Sequence, residues 1–236
     1  MKYRSNRAAI EDLALSEGGV FTTSQAARLG IPRDALAYAS RSGRIERVAQ
    51  GAYRLAATAD DGLDELRAIW KLTAPAAFSH ERARAEGWDG VAVCGPTAAY
   101  VLGIGDFYAS PYHVAAPRRI NSRREGARFV RASVAREDVV WRDGLPVTRP
   151  EATLSMLVRL GEDPSLVADA FVDAVRAYGA TSLDLERAEA LLGRRAFGRI
   201  LEEAGIGPRG SRRLVRLDGL GHVALVEGDG DAYPRH

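Results

Sequence analysis

Residues 18–55 read GGVFTTSQAARLGIPRDALAYASRSGRIERVAQGAYRL. Gly18-Gly19 stops the helix before it, because glycine takes the left-handed backbone of a helix C-terminus without steric cost. Val20-Phe21 is a short extended bridge. Thr22-Thr23-Ser24 offers capping hydroxyls to a helix of about two turns, SQAARLG, closed by Gly30. Ile31-Pro32 opens the next helix, with proline at its first position and Ile31 packing back from outside. Helical spacing separates its faces. Leu36, Ala39 and Ala35 point inward, while Arg33, Ala37 and Arg41 form an outward ridge flanked by Asp34 and Tyr38. Ser42-Gly43 ends that helix, and residues 44–49 and 52–55 form two strands around Gln50-Gly51, where glycine supplies the positive φ of a tight turn.

Short helix, tight turn, helix, two-strand hairpin: this order describes a winged helix-turn-helix, which lays its second helix in the DNA major groove. A preceding helix, capped by Ser5 or Asn6, puts Ile10, Leu13 and Ala14 on one face. The expected DNA contacts follow from position. Arg33, Asp34, Ala37, Tyr38 and Arg41 face the groove. Arg44 and Arg47 on the wing reach the backbone, and Gln50 at its tip enters a minor groove. Thr22, Thr23 and Ser24 cap their helix and aim its free N–H groups at a phosphate. An arginine ridge on an isolated helix is ordinarily a solvated face; its place on the element this unit presents to DNA gives it a role.

The net charge of +2 hides blocks. Residues 1–55 hold nine Lys/Arg against five acids, and residues 116–136 hold seven Arg against one Glu, with acidic stretches between and after. Two basic blocks suggest two phosphate-facing surfaces. Of 33 basic residues 31 are arginine, the lysines being Lys2 and Lys71, a bias that fits a GC-rich genome. The single Cys94 rules out an intrachain disulfide or a cysteine-based zinc site. No apolar run approaches membrane length and the N-terminus lacks a signal-peptide core, so a cytoplasmic protein without membrane contact is expected.

The fold expected is α+β: a winged helix-turn-helix over residues 1–57, a mixed α/β domain over 62–226, and a frayed tail over 227–236. In the second domain a polar linker at 59–61 precedes a helix with Leu63, Leu66, Ile69 and Trp70 inward. A buried segment, VAVC, leads into a helix opened by Pro96 and closed by Gly103. YHVAA (112–116) alternates as a strand and runs into PRRINSRREGARFVRA, read as a hairpin loop with a return strand at Phe129-Val130. Its arginines Arg118, Arg119, Arg123, Arg124, Arg128 and Arg131 form a second basic patch, either a solvated loop or an extension of the DNA footprint. WRDGLPV is an Asp-Gly turn and a short strand. Amphipathic helices fill 150–203, and a hairpin over 214–226 closes the domain.

Catalysis finds no support. The four histidines (80, 113, 222 and 236) are scattered in sequence, and His80 and His113 read as helix and strand residues. Gly210-Ser211 with Asp229 and Asp231 superficially fits a nucleotidyltransferase pattern, yet its acids lie in the tail where no rigid strand holds them. Asp218 and Glu227 have a passable nuclease spacing without a lysine nearby. No cofactor and no metal are expected.

The stretch GGVFTTSQAARLGIPRDAL…RSGRIERVAQGAYRL resembles the N-terminal winged-helix domain of AbiEi-type antitoxins. Residues 5–55 carry the G-x-[VFI]-[TS]-x-x-[QE]-A-x-x-x-G core and the R-x-x-x-G-x-Y-x-L wing. A looser likeness continues through CGPTAAYVLGIGD and DGLPVTRPEATLSMLVRL. The resemblance implies a repressor of its own operon that binds inverted repeats in double-stranded promoter DNA. It also implies opposition to an adjacent nucleotidyltransferase-like toxin of an abortive-infection system, without a stable complex. The alternative is a winged-helix regulator outside such an operon, whose C-terminal domain senses a ligand or protein.

Overall fold

A computed structural model describes residues 2–59, 61–120, 126–177, 182–207, 210–217 and 223–227. The architecture is α+β. Helix α1 (Lys2–Ser16) starts ahead of Ser5 and Asn6, so neither caps it, since no glycine or proline interrupts the sequence before Gly18. Strand β1 (Val20–Thr22) leads into α2 (Thr23–Arg28) and α3 (Arg33–Arg41). Pro32 takes an extended backbone as the N-cap of α3, one residue before the helix begins. Strands β2 (Ile45–Ala49) and β3 (Ala52–Leu55) form the hairpin, and β1 completes a sheet of order β1-β3-β2, antiparallel throughout. Ile10, Leu13, Phe21, Ile31, Leu36, Ala39 and Ile45 make one core between the three helices and the sheet.

The winged unit does not stand alone. Helix α4 (Asp64–Lys71) and α5 (Ser79–Ala83), in the stretch that joins it to the rest of the chain, pack back on it. Ala68 and Leu72 seal the far side of the small sheet against Val20 and Ala52, while Leu66, Ile69 and Trp70 join the core of the next sheet. One helix therefore serves two cores, and the expected break between residues 57 and 62 is bridged. Asp61, just before α4, takes Arg67 at 2.5 Å, and Arg67 also holds Asp64 and the carbonyl of Asp143.

A polar cluster fastens the two parts. Lys71 Nζ donates to Glu17 Oε2 at 2.6 Å and to Ser79 Oγ at 2.6 Å. The same carboxylate accepts from Gln25 Nε2, from the Ser79 hydroxyl and from the Ser79 backbone N–H. Gln25 reaches onward to the Ala77 carbonyl, and Arg28 pairs with Glu81 at 2.8 Å. The Arg28 guanidinium, helped by the Phe78 N–H, holds the Glu81 carboxyl down to about 2. A depressed carboxylate stabilises the fold above its ordinary range and loses that contribution as pH falls toward 2. Side-chain carboxyl titration by NMR should place Glu81 near that value, and Arg28→Gln should return it toward 4.5; an unmoved midpoint removes the clasp.

The second sheet, of order β6-β5-β4-β8-β7, is mixed. Its strands are β4 (Ala92–Val93), β5 (Tyr112–Ala116), β6 (Ala127–Arg131), β7 (Val139–Arg142) and β8 (Leu145–Thr148). Asp143 and Gly144, at φ 50 and 76, make the two-residue turn of the β7–β8 hairpin, as the Asp-Gly pair demands. Strand β6, however, runs parallel to β5, with Tyr112 opposite Ala127 and Ala116 opposite Arg131. The expected hairpin loop is thus a crossover. Strand β6 starts level with Tyr112, at the opposite end of β5 from where that strand leaves off, and no tight turn joins parallel strands.

Helix α6 (Gly95–Leu102) follows β4 directly. Helices α7 (Pro150–Leu160), α8 (Pro164–Arg176), α9 (Leu185–Leu192) and α10 (Arg194–Glu203) bury Leu154, Leu157, Phe171, Leu183, Phe197 and Ile200 in one cluster. The hairpin of β9 (Arg212–Arg216) and β10 (Val223–Glu227) covers that cluster with Leu214, Val223 and Leu225. Strand β10 ends at Glu227, and the expected tail beyond it lies outside the described residues.

Candidate nucleic-acid interface

Helix α3 buries Ala35, Leu36 and Ala39 and exposes Arg33, Asp34, Ala37, Tyr38 and Arg41. The small Ala37 leaves the ridge between two arginines low enough for close approach to a groove. Arg44, at the entry to β2, lies over the Tyr38 ring at 5.6 Å. Arg47 shares a strand face with Ile45, whose side chain enters the helical core, so Arg47 lies on the side of the sheet toward α3.

Ion pairing divides the arginines of this unit into two sets. Arg7 pairs with Glu11, Arg28 with Glu81, and Arg54 with Glu46 and Asp64. Arg33, Arg41, Arg44 and Arg47 are exposed and meet no acid among the described residues. Ion pairs hold the arginines that build the fold, and among the described residues none holds those on α3 and the wing. Four exposed arginines outside any ion pair among the described residues, two on one helix and two on the wing beside it, attract a polyanion. Asp34, the one acid on the ridge, accepts the Ala35 N–H at 3.0 Å at a helix start that Pro32 leaves without a side-chain cap.

The hydroxyl cluster needs correction. Thr22 caps α2, accepting the Gln25 N–H at 3.0 Å while Gln25 Oε1 accepts the Thr22 N–H at 2.8 Å. Its hydroxyl donates to the Pro75 carbonyl and the residue is 1% exposed, so Thr22 is sealed from solvent and from any phosphate. Thr23 and Ser24 remain partly exposed. The wing has the expected strands and turn, but its tip reaches less far. Thr22 stands opposite Ala52, and the Thr23 N–H donates to the Gly51 carbonyl at 2.9 Å. Gln50 is exposed at the tip, but the turn is fastened level with the start of α2 and does not project.

Among the described residues the arginines of the second basic block do not share one face. Arg128 and Arg131 are three apart on an edge strand and so point to opposite faces. Arg118 donates to the Thr73 carbonyl at 3.1 Å, Arg119 is exposed, and Arg123 and Arg124 lie outside the described residues. The crossover does end close to the wing. Tyr112, at the start of β5, shares a cleft of about 350 Å³ with Glu46, Arg47 and Glu65, and Gly126 lies against Tyr112 and Glu65.

Elsewhere the chemistry is sparse. Burial pushes the Cys94 thiol up to about 12 and so keeps it protonated. Burial lowers the basicity of His113, with Arg128 adding to the effect. Glu227 pairs with Arg176 and Arg212, while Asp218, Asp229 and Asp231 lie outside the described residues. Among the described residues no three His, Cys, Asp or Glu side chains converge as a metal site, and no helix is long and apolar enough to cross a membrane.

Sequence reasoning missed Glu17, Gln25, Ser79 and Lys71, the residues that hold the reading unit in place. One signal was present: Lys71 is one of two lysines in a chain that otherwise uses arginine. A compact ammonium fits a small buried cluster where a planar guanidinium does not.

Comparison with known proteins follows the same division. Residues 8–56 match a family model described as a transcriptional regulator, AbiEi antitoxin, and residues 91–202 match the AbiEi antitoxin C-terminal domain. Both describe regulatory domains. The fold is similar to that of the RV2827C protein from Mycobacterium tuberculosis, with a TM-score of 0.54 and 19% identity over 89% of this chain and 80% of that one. No curated protein matches. Two models of one family, met in chain order by the winged unit and the domain behind it, account for a reader of DNA joined to a second domain. The chain belongs to the AbiEi antitoxin family and is an antitoxin-type DNA-binding regulator.

Proposed function

We propose that the protein represses its own operon by binding inverted repeats in the promoter, and that it counteracts a nucleotidyltransferase-like toxin encoded beside it without a stable complex. The observation that carries the DNA half is the set Arg33, Arg41, Arg44 and Arg47, exposed and without acidic partners among the described residues. Family membership supports the operon and toxin half. The reading unit is residues 1–57, held by α4 and α5, with the domain behind it reaching Glu227. The site is Arg33, Asp34, Ala37, Tyr38 and Arg41 on α3, Arg44 and Arg47 on the wing, and Thr23, Ser24 and Gln50 where the wing tip meets α2. Function takes place in the cytoplasm and needs no cofactor.

A footprint of the full chain on the DNA upstream of its gene tests this. Protection of two inverted half-sites, with a toxin gene next door, is the expected result. A featureless footprint overturns autoregulation.

The second basic block extends the DNA footprint past the wing; in support, Gly126, just after the block's central arginines, lies against Tyr112, which shares a cleft with Arg47. Arg123→Ala with Arg124→Ala should lower the salt dependence of binding by about two in log–log slope, one for each phosphate that an arginine no longer neutralises. A slope equal to wild type makes the block a solvated crossover.

A further inference from the structure

We propose that the groove between α1, α3 and the end of β3 is an effector site for a small apolar carboxylate, and that filling it releases DNA. The groove encloses about 470 Å³, within the range of roughly 300–1,000 Å³ typical of small-molecule sites. Three elements wall it. Ile10, Ala35, Ala39 and Ile45 make an apolar floor that belongs to the helical core. Leu55, Ala56 and Ala57 form one side, and Leu15 stands at the edge with 71% of its surface exposed. The core has no use for Leu15, because Ile10, Leu13 and Ala14 already fill the inner face of α1. Gly43 also lines the groove.

Charge selects the occupant. At the rim Arg7 and Glu11 satisfy one another at 2.8 Å. Arg44 has no acidic partner among the described residues, which leaves one positive charge beside an apolar hollow. An aromatic or alicyclic ring fills the hollow and its carboxylate meets Arg44. Tyr38 and Arg44 line the groove and also belong to the DNA-facing set, so the inference rests on that reading of α3 and the wing. A carboxylate on Arg44 removes a cation from a phosphate, and the coupling between the two ligands is reciprocal.

The test uses full-length protein, 2-naphthoate, and 2-naphthamide as its neutral counterpart. Amide and methyl NMR shifts should move with naphthoate at Leu15, Ala39 and Leu55 and far less with naphthamide. Saturating naphthoate should raise the Kd for the upstream duplex by about tenfold in fluorescence anisotropy. Ala56→Trp should fill the groove, keep duplex affinity and abolish the naphthoate response; the comparison of the two naphthalenes on wild type is independent of that variant. Duplex binding with no naphthoate shifts at the groove overturns the effector site and leaves the DNA reading standing. Naphthoate in the groove with an unchanged duplex Kd overturns the coupling. A protein that binds no duplex in the absence of naphthoate overturns the DNA reading beneath it. A concentration-dependent dimer that Leu15→Glu dissolves gives the groove to a second copy and overturns the small-molecule assignment.

Discussion

Lys71→Ala is expected to destabilise the protein by about 3–5 kcal/mol, the range for breaking one side of a buried ion pair. Lys71 and Glu17 side chains are 2% and 1% exposed at 2.6 Å separation, so water screens neither. Without the ammonium, the Glu17 carboxylate stays buried against neutral donors alone: the Ser79 N–H and hydroxyl and the Gln25 amide. Burial lowers the basicity of Lys71 despite the attraction of Glu17, so the ammonium is itself costly to bury. The pair therefore fixes geometry more than it adds stability, and Glu17→Gln with Lys71→Met should cost less than the two single changes added together. Urea unfolding measures this through the midpoint at constant slope. A loss under about 1 kcal/mol for Lys71→Ala means that the cluster is not what fastens the reading unit.

That cluster marks where the sequence stops being readable. Helical spacing alone separates Arg33, Ala37 and Arg41 from Ala35, Leu36 and Ala39, because a face is a local property of 3.6 residues per turn. Glycine chemistry placed the turns at Gln50-Gly51 and Asp143-Gly144 in the same local way. Partners distant along the chain follow no such rule. Thr22 reads as a capping hydroxyl open to solvent until Pro75, far along the chain, closes over it. The alternation of YHVAA and RFVR assigns side chains to faces but says nothing of strand direction, so a parallel crossover and a hairpin look the same. Helix α4 shows the same limit from another side. Its apolar stripe announces one core, and its use of Ala68 and Leu72 against a second sheet is visible only once that sheet has folded.

Arg33→Ala with Arg41→Ala should weaken binding to the upstream duplex by about a hundredfold or more, since each base-edge contact is worth about 1–3 kcal/mol. Both side chains are exposed and in no ion pair among the described residues, so their loss should leave stability within about 0.5 kcal/mol of wild type. The salt dependence separates the roles they play. If both arginines read bases, affinity falls at every salt concentration and the slope holds; if both touch phosphates, the slope drops by about two. Arg54→Ala is the matched control. Arg54 is an arginine of the same sheet, but Glu46 and Asp64 hold it, so its loss should lower stability and spare DNA affinity. The pattern of ion pairs predicts these opposite outcomes from residues of identical chemistry, which net charge alone does not. Equal losses of affinity in both variants would mean that DNA responds to total charge, and α3 would lose its assignment as the reading helix.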